Sequence, residues 1–183
     1  MIRKTILALS VVAAMAVAMG AHVVAAQDAV QPPLRVSGTF NDYVWVEVGA
    51  GAGAWHVTGE WAAQVEGNSG KGNFTASLLG VRSDLWVLQN FADPANPALR
   101  SPHTHHVGLA DAVVTILANG IRLEGPATIT ANGSVAPYSG STVRVDITGG
   151  NAIRYSNIKM TFTAAGIDHF GPQPYEGLVV LGR

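Results

Sequence analysis

Residues 54–66 alternate without a break. Trp55, Val57, Gly59, Trp61, Ala63 and Val65 occupy one side, and His56, Thr58, Glu60, Ala62, Gln64 and Glu66 the other. A period of two marks an extended strand with one buried and one solvated face, whereas 3.6 residues per turn would scatter the same pattern around a helix. Residues 153–163 repeat it less strictly, with Ile158, Met160 and Phe162 against Asn157, Lys159, Thr161 and Thr163. From Leu34 onward no segment carries a helical period instead. Strands apolar on one side and polar on the other belong to antiparallel meanders.

The same pattern predicts strands over 34–40, 43–48, 54–66, 72–82, 85–89, 103–109, 112–117, 121–130, 142–148 and 153–163. Hairpin chemistry separates several of them: Gly67-Asn68-Ser69-Gly70, Ala118-Asn119-Gly120 and Ala131-Asn132-Gly133. Prolines keep Asp93-Pro94-Ala95-Asn96-Pro97 out of any ladder. So many short strands in 183 residues must stack as two sheets or close on themselves. Near-continuous hairpins favour closure, and Gly59, Gly72, Gly80 and Gly125 within strands suit its bends. The expectation is an all-β chain forming a single antiparallel β-barrel of about eight strands. A β-sandwich or a cupin-like jelly roll is the alternative.

Gly59-Glu60-Trp61 resembles the Gly-x-Trp of lipocalin-like barrels. The run from Gly59 through Lys71-Gly72-Asn73-Phe74-Thr75-Ala76-Ser77 resembles the small barrels of the allene-oxide-cyclase-like group, so the likeness is to calycin-type β-barrels. It implies an eight-stranded barrel around a small-molecule cavity, and it assigns no catalytic residue.

The first residues have a different logic. Met1-Ile2-Arg3-Lys4 is a short basic start, an apolar run follows to Met19, and Val24-Ala25-Ala26 places small residues ahead of Gln27. That layout predicts a secretory signal peptide over 1–26 and a barrel domain over 27–183, secreted or periplasmic. Ser10 and Gly20 interrupt the run, which is short for a span of roughly 20 residues, so no stable membrane insertion is expected after cleavage. The absence of cysteine excludes disulfides, thiolate zinc sites and cysteine nucleophiles, and suits a bacterial exported protein. A net charge of −1 with only 11 Lys+Arg argues against a nucleic-acid partner.

Histidine is the one concentrated chemical signal. Pro102-His103-Thr104-His105-His106 puts three imidazoles within four residues. On a strand, His103 and His105 project to one side, continued by Val107 and Leu109, while His106 points away with Thr104. Two imidazoles so spaced grip one metal ion, as they do in cupin-type barrels, although the glutamate of the cupin spacing is missing after His105. A third ligand must come from elsewhere. His56 and Glu60 share a polar strand face about 13 Å apart, too far to bind one small ion together unless the strand bends, but either could join the pair, with Glu60 as extra ligand or catalytic base. His169, in Asp168-His169-Phe170-Gly171, falls on a late loop that would cover a barrel mouth. Imidazoles with at most one carboxylate suit zinc, copper or iron.

Other chemistry is sparse. No Gly-x-Ser-x-Gly elbow occurs, and the aspartates Asp84, Asp111, Asp146 and Asp168 are scattered. Trp45, Trp55, Trp61 and Trp86 either fill the core or line a cavity. Three readings follow: an exported barrel with a metal site of His103, His105 and His56 or His169 acting on a small molecule, a metal-free barrel for a small hydrophobic ligand, or a cofactor-free cyclase or isomerase.

Overall fold

Strand pairing in the computed structural model runs in an unbroken ring. The described residues are 34–47, 52–83, 102–149, 157–163 and 166–182. The strands are β1 (Leu34–Val46), β2 (Gly53–Val65), β3 (Lys71–Arg82), β4 (His103–Leu117), β5 (Gly120–Ala131), β6 (Ser134–Val135), β7 (Thr142–Thr148), β8 (Asn157–Phe162) and β9 (Tyr175–Gly182). The order is β4-β3-β2-β1-β9-β8-β7-β5, and β4 pairs back onto β5, so eight antiparallel strands close into a barrel. The two-residue β6 is an extra strand on the end of β5. This is the expected barrel, and neither a sandwich nor a jelly roll. The predicted strand 85–89 and the leader over 1–26 lie outside the described residues. Among the described residues no helix is long and apolar enough to cross a membrane.

Alternation decides what lies inside. On β3 the exposure pattern switches at every residue from Lys71 to Gly80, with Gly72, Phe74, Ala76, Leu78 and Gly80 inward. Phe40, Phe74, Leu123, Ile129, Val145 and Met160 are each at most 2% exposed and fill the interior, leaving a packed core. Expected pairs of strands turn out to be single long ones. Residues 34–46 are continuous, and 103–117 are continuous through a bulge at Asp111, whose φ of 52° shifts the register with β5 between Leu109 and Val113. The Asn132-Gly133 turn joining β5 to β6 has both residues at positive φ (48° and 83°), as a tight primed hairpin requires.

Strand β9 was not expected, because the sequence reading places no strand beyond residue 163. Its Gly177-Leu178-Val179-Val180-Leu181 run has no polar alternation, since the outward Leu178 and Val180 are 54% and 71% exposed. Yet β9 is the closing strand, bonded to β1 on one side and β8 on the other.

The outer surface carries a charge ladder. Arg122 on β5 faces Asp146 on β7, Asp146 faces Lys159 on β8, and Lys159 faces Glu176 on β9. Arg122 grips Asp146 through two bonds of 2.6 and 2.9 Å, and Lys159 Nζ lies 2.7 Å from Glu176 Oε1. One row over, Arg144 holds Glu124 through a second two-bond pair at 3.2 and 3.3 Å.

Antiparallel order brings the C-terminal ends of β1, β3, β5 and β8 to one mouth of the barrel, with the N-terminal ends of β2, β4, β7 and β9. Between β8 and β9 the chain makes a four-residue helix, α1 (Ile167–Phe170), which contacts β1. His169 therefore stands on a helical turn, not on the loop expected from sequence.

Candidate metal centre at the barrel mouth

The inward face of β4 starts with His103 and His105 and continues through Val107 and Leu109, as the period of two requires. His103 pairs across the ladder with Gly80 and His105 with Leu78 on β3, and His105 pairs with Ala131 on β5. Because Gly80 has no side chain, the His103 ring occupies the space beside it: a Cβ there would lie 3.6 Å from His103 Cε1. Trp55 of β2 meets the same ring edge-on at 4.8 Å.

The third imidazole arrives on α1. Its seat depends on Gly171, which has φ 82° and whose missing Cβ would sit 2.7 Å from the Trp45 carbonyl oxygen. Phe170, 1% exposed, stacks on Phe162 with ring centroids 3.7 Å apart and anchors the turn in the core. Anchoring Phe170 inward brings its neighbour His169 over the mouth. His105 Nε2 and His169 Nε2 are 3.1 Å apart. One ring nitrogen from each of His103, His105 and His169 lies within 4.8 Å of the others. Two nitrogens bound to one tetrahedral zinc at about 2.0–2.1 Å stand roughly 3.3 Å apart, so the His105–His169 pair already has ligand spacing and His103 needs a small ring movement to join it.

Hydrogen bonding orients the set. His105 Nδ1 donates to the Thr130 carbonyl oxygen at 3.1 Å, because a carbonyl only accepts. Its proton is thereby assigned to Nδ1, and the Nε2 lone pair faces His169. The Tyr138 hydroxyl oxygen is 3.4 Å from the same Nδ1, and the Tyr138 ring stacks on His169 at 4.4 Å and 19°. This is the outer-shell support that metal-binding imidazoles ordinarily have.

Electrostatics favours neutral rings. Burial, reinforced by the nearby His103 and His169, lowers the His105 pKa to about 3. Burial and then His103 lower His169 to about 4. Both imidazoles are uncharged near neutral pH, the form that binds metal. Burial raises the Tyr138 hydroxyl to about 12, so it keeps its proton.

The other residues expected to take part stand elsewhere. Strand β2 turns Trp55 and Val57 inward, and the same alternation sends His56 and Glu60 to the outside of the barrel. There His56 Nε2 is 2.8 Å from Asn41 Oδ1 and its ring stacks on Tyr43 at 4.6 Å. Glu60 is exposed. His56 as a further ligand, and Glu60 as extra ligand or base, do not fit this placement, because the strand wall separates them from the triad. His106 also faces outward, its Nδ1 2.9 Å from Ser77 Oγ. Tyr138 was not anticipated: it lies in a turn with no periodicity to point it anywhere, and only the β6–β7 connection brings it to the mouth.

Together the three imidazoles, Trp55, Phe170, Tyr175 and neighbouring aliphatic side chains line a space of about 30 Å³ that is partly open at the mouth. Among the described residues no carboxylate lines it. Comparison with family models, with curated proteins and with solved structures finds no match to this chain.

Proposed function

We propose that this chain is an exported metal-binding barrel in which His103, His105 and His169 hold one divalent transition-metal ion: zinc, copper or iron. The observation that carries this reading is the convergence of three imidazole ligand atoms within 4.8 Å at the barrel mouth. Two are fixed on the β4 wall and the third is delivered by α1. Three protein ligands leave a tetrahedral ion one open position, the arrangement in which a metal polarises a bound water or small molecule. Metal-assisted chemistry on a small ligand is thus the activity the site supports best. The filled interior favours this over a cavity for a hydrophobic ligand, and export is supported by the basic, apolar and small-residue order of residues 1–26.

The test is elemental analysis of the untagged full chain expressed with export, beside a His103→Ala/His105→Ala double variant. Near-stoichiometric metal in the wild type and its loss in the variant support the site. No bound metal after incubation with zinc, copper and iron salts overturns it. N-terminal sequencing of the exported product should begin at Gln27.

A further inference from the structure

We infer that the open position of this metal takes a small inorganic anion of about one to three heavy atoms and excludes organic molecules. The inference rests on the metal reading above. The space lined by the three imidazoles and the surrounding walls, partly open at the mouth, is about 30 Å³. One water needs roughly 10–15 Å³ of such space, so the site has room for about two water-sized species. The metal is one of them, so the ligand's bound atom fits inside and the rest of a slender linear anion extends towards the open mouth. Pockets for organic ligands run to roughly 300–1,000 Å³, an order of magnitude more.

The walls do not yield easily. Trp55 is 7% exposed, Leu78 3%, Phe170 1% and Tyr175 4%, and all four belong to the packed core. Phe170 is further held by its stack on Phe162 and by edge contacts to His105 and Tyr138. A close-packed interior resists the shifts that a larger ligand would demand.

Charge selects within the size limit. A divalent ion held by three neutral imidazoles keeps both positive charges, and among the described residues no carboxylate lines the space to offset them. In apolar surroundings that charge is weakly screened, so a compact anion such as hydroxide, azide or cyanide is the favoured occupant over a neutral molecule of equal size.

The experiment uses the full chain loaded with Co²⁺, whose visible bands report its ligands, titrated in parallel with azide, benzoate and imidazole. Azide should saturate with a band shift, while benzoate and imidazole at the same concentrations leave the spectrum unchanged. Trp55→Ala and Leu78→Ala, made separately on the neighbouring strands β2 and β3, should each let an organic ligand bind at least about tenfold better, and one folded variant suffices. Benzoate or imidazole binding the wild type within tenfold of azide overturns the inference. So does silence towards azide, or unchanged selectivity in the folded variants. Failure of the chain to bind cobalt, zinc, copper or iron at all sinks the metal reading itself and this inference with it.

Discussion

The ring of Tyr138 lies face to face with the ring of His169, 4.4 Å away, while its hydroxyl oxygen is 3.4 Å from Nδ1 of His105. One side chain thus touches two of the three imidazoles without offering a ligand atom itself. It acts as a positioning residue. Loss of an outer-shell partner typically weakens metal binding by about 10–100-fold. Tyr138→Ala should weaken zinc affinity by about tenfold or more, measured by competition with a chromogenic chelator. Tyr138→Phe keeps the stack and should restore most of the affinity.

A bound metal ties α1 to β4, bridging residues 64 apart in sequence. A ligand at 100 times its dissociation constant stabilises the folded state by about 2.7 kcal/mol. At roughly 2–4 °C per kcal/mol for a domain of this size, the melting temperature should rise by about 5–10 °C on adding zinc. His169→Ala should abolish the rise in a thermal scan without unfolding the barrel.

Acid should destabilise the metal-free chain through the same rings. Both folded-state pKa values are depressed, to about 3 for His105 and about 4 for His169, against 6.5 in the unfolded chain. Above pH 6.5 neither state binds the extra proton and the stability is fully present. As pH falls below 6.5 only the unfolded chain protonates, so stability drops until the folded-state values are reached. At pH 5 His105 alone should account for about 1–2 kcal/mol. Urea midpoints at pH 7 and pH 5 measure the loss, and His105→Leu should shrink it.

Gly80 tests the space beside His103. An added Cβ makes ordinary contact at 3.6 Å, so Gly80→Ala should fold and bind metal. Gly80→Leu places a branched chain where the His103 ring sits. Overpacking costs about 1–3 kcal/mol, and each 1.4 kcal/mol is about tenfold in binding, so zinc affinity should fall by about tenfold or more. Far-ultraviolet circular dichroism should keep the strand signal.

His56→Ala and Glu60→Gln change only the outer face. Surface substitutions usually act within about 0.5 kcal/mol, so metal affinity should stay within about twofold of wild type. A larger loss at either position would place it in the centre after all.

The wall residues of the site were legible and the cap was not. Alternation over 103–109 puts His103 and His105 on one face in any antiparallel arrangement, and it puts His56 opposite Trp55 just as surely. The same pattern marks the apolar Trp55, Val57 and Trp61 face of β2 as the buried one, so the outward place of His56 and Glu60 was legible as well. His169 was visible as a candidate from its residue type and its place in a late segment. Its arrival beside His105 depends on β9 closing the barrel, and β9 has no alternation of its own. Tyr138 left no trace in any local pattern because its position is a product of the β6–β7 connection.

The charge ladder on the outside bears on the chemistry inside. Arg122 opposes Asp146 and Glu124 opposes Arg144. Sliding β7 by two residues one way would set Arg122 against Arg144, and sliding it the other way would set Glu124 against Asp146. Either misthreading confronts like charges across the ladder, which is unfavourable. Such a slip would displace β7, and with it β8 and α1, by about 7 Å along β5. His169 would then miss His105. The ladder is a proofreading device for chain alignment: by rejecting both neighbouring registers it keeps imidazoles from two distant segments within reach of one ion.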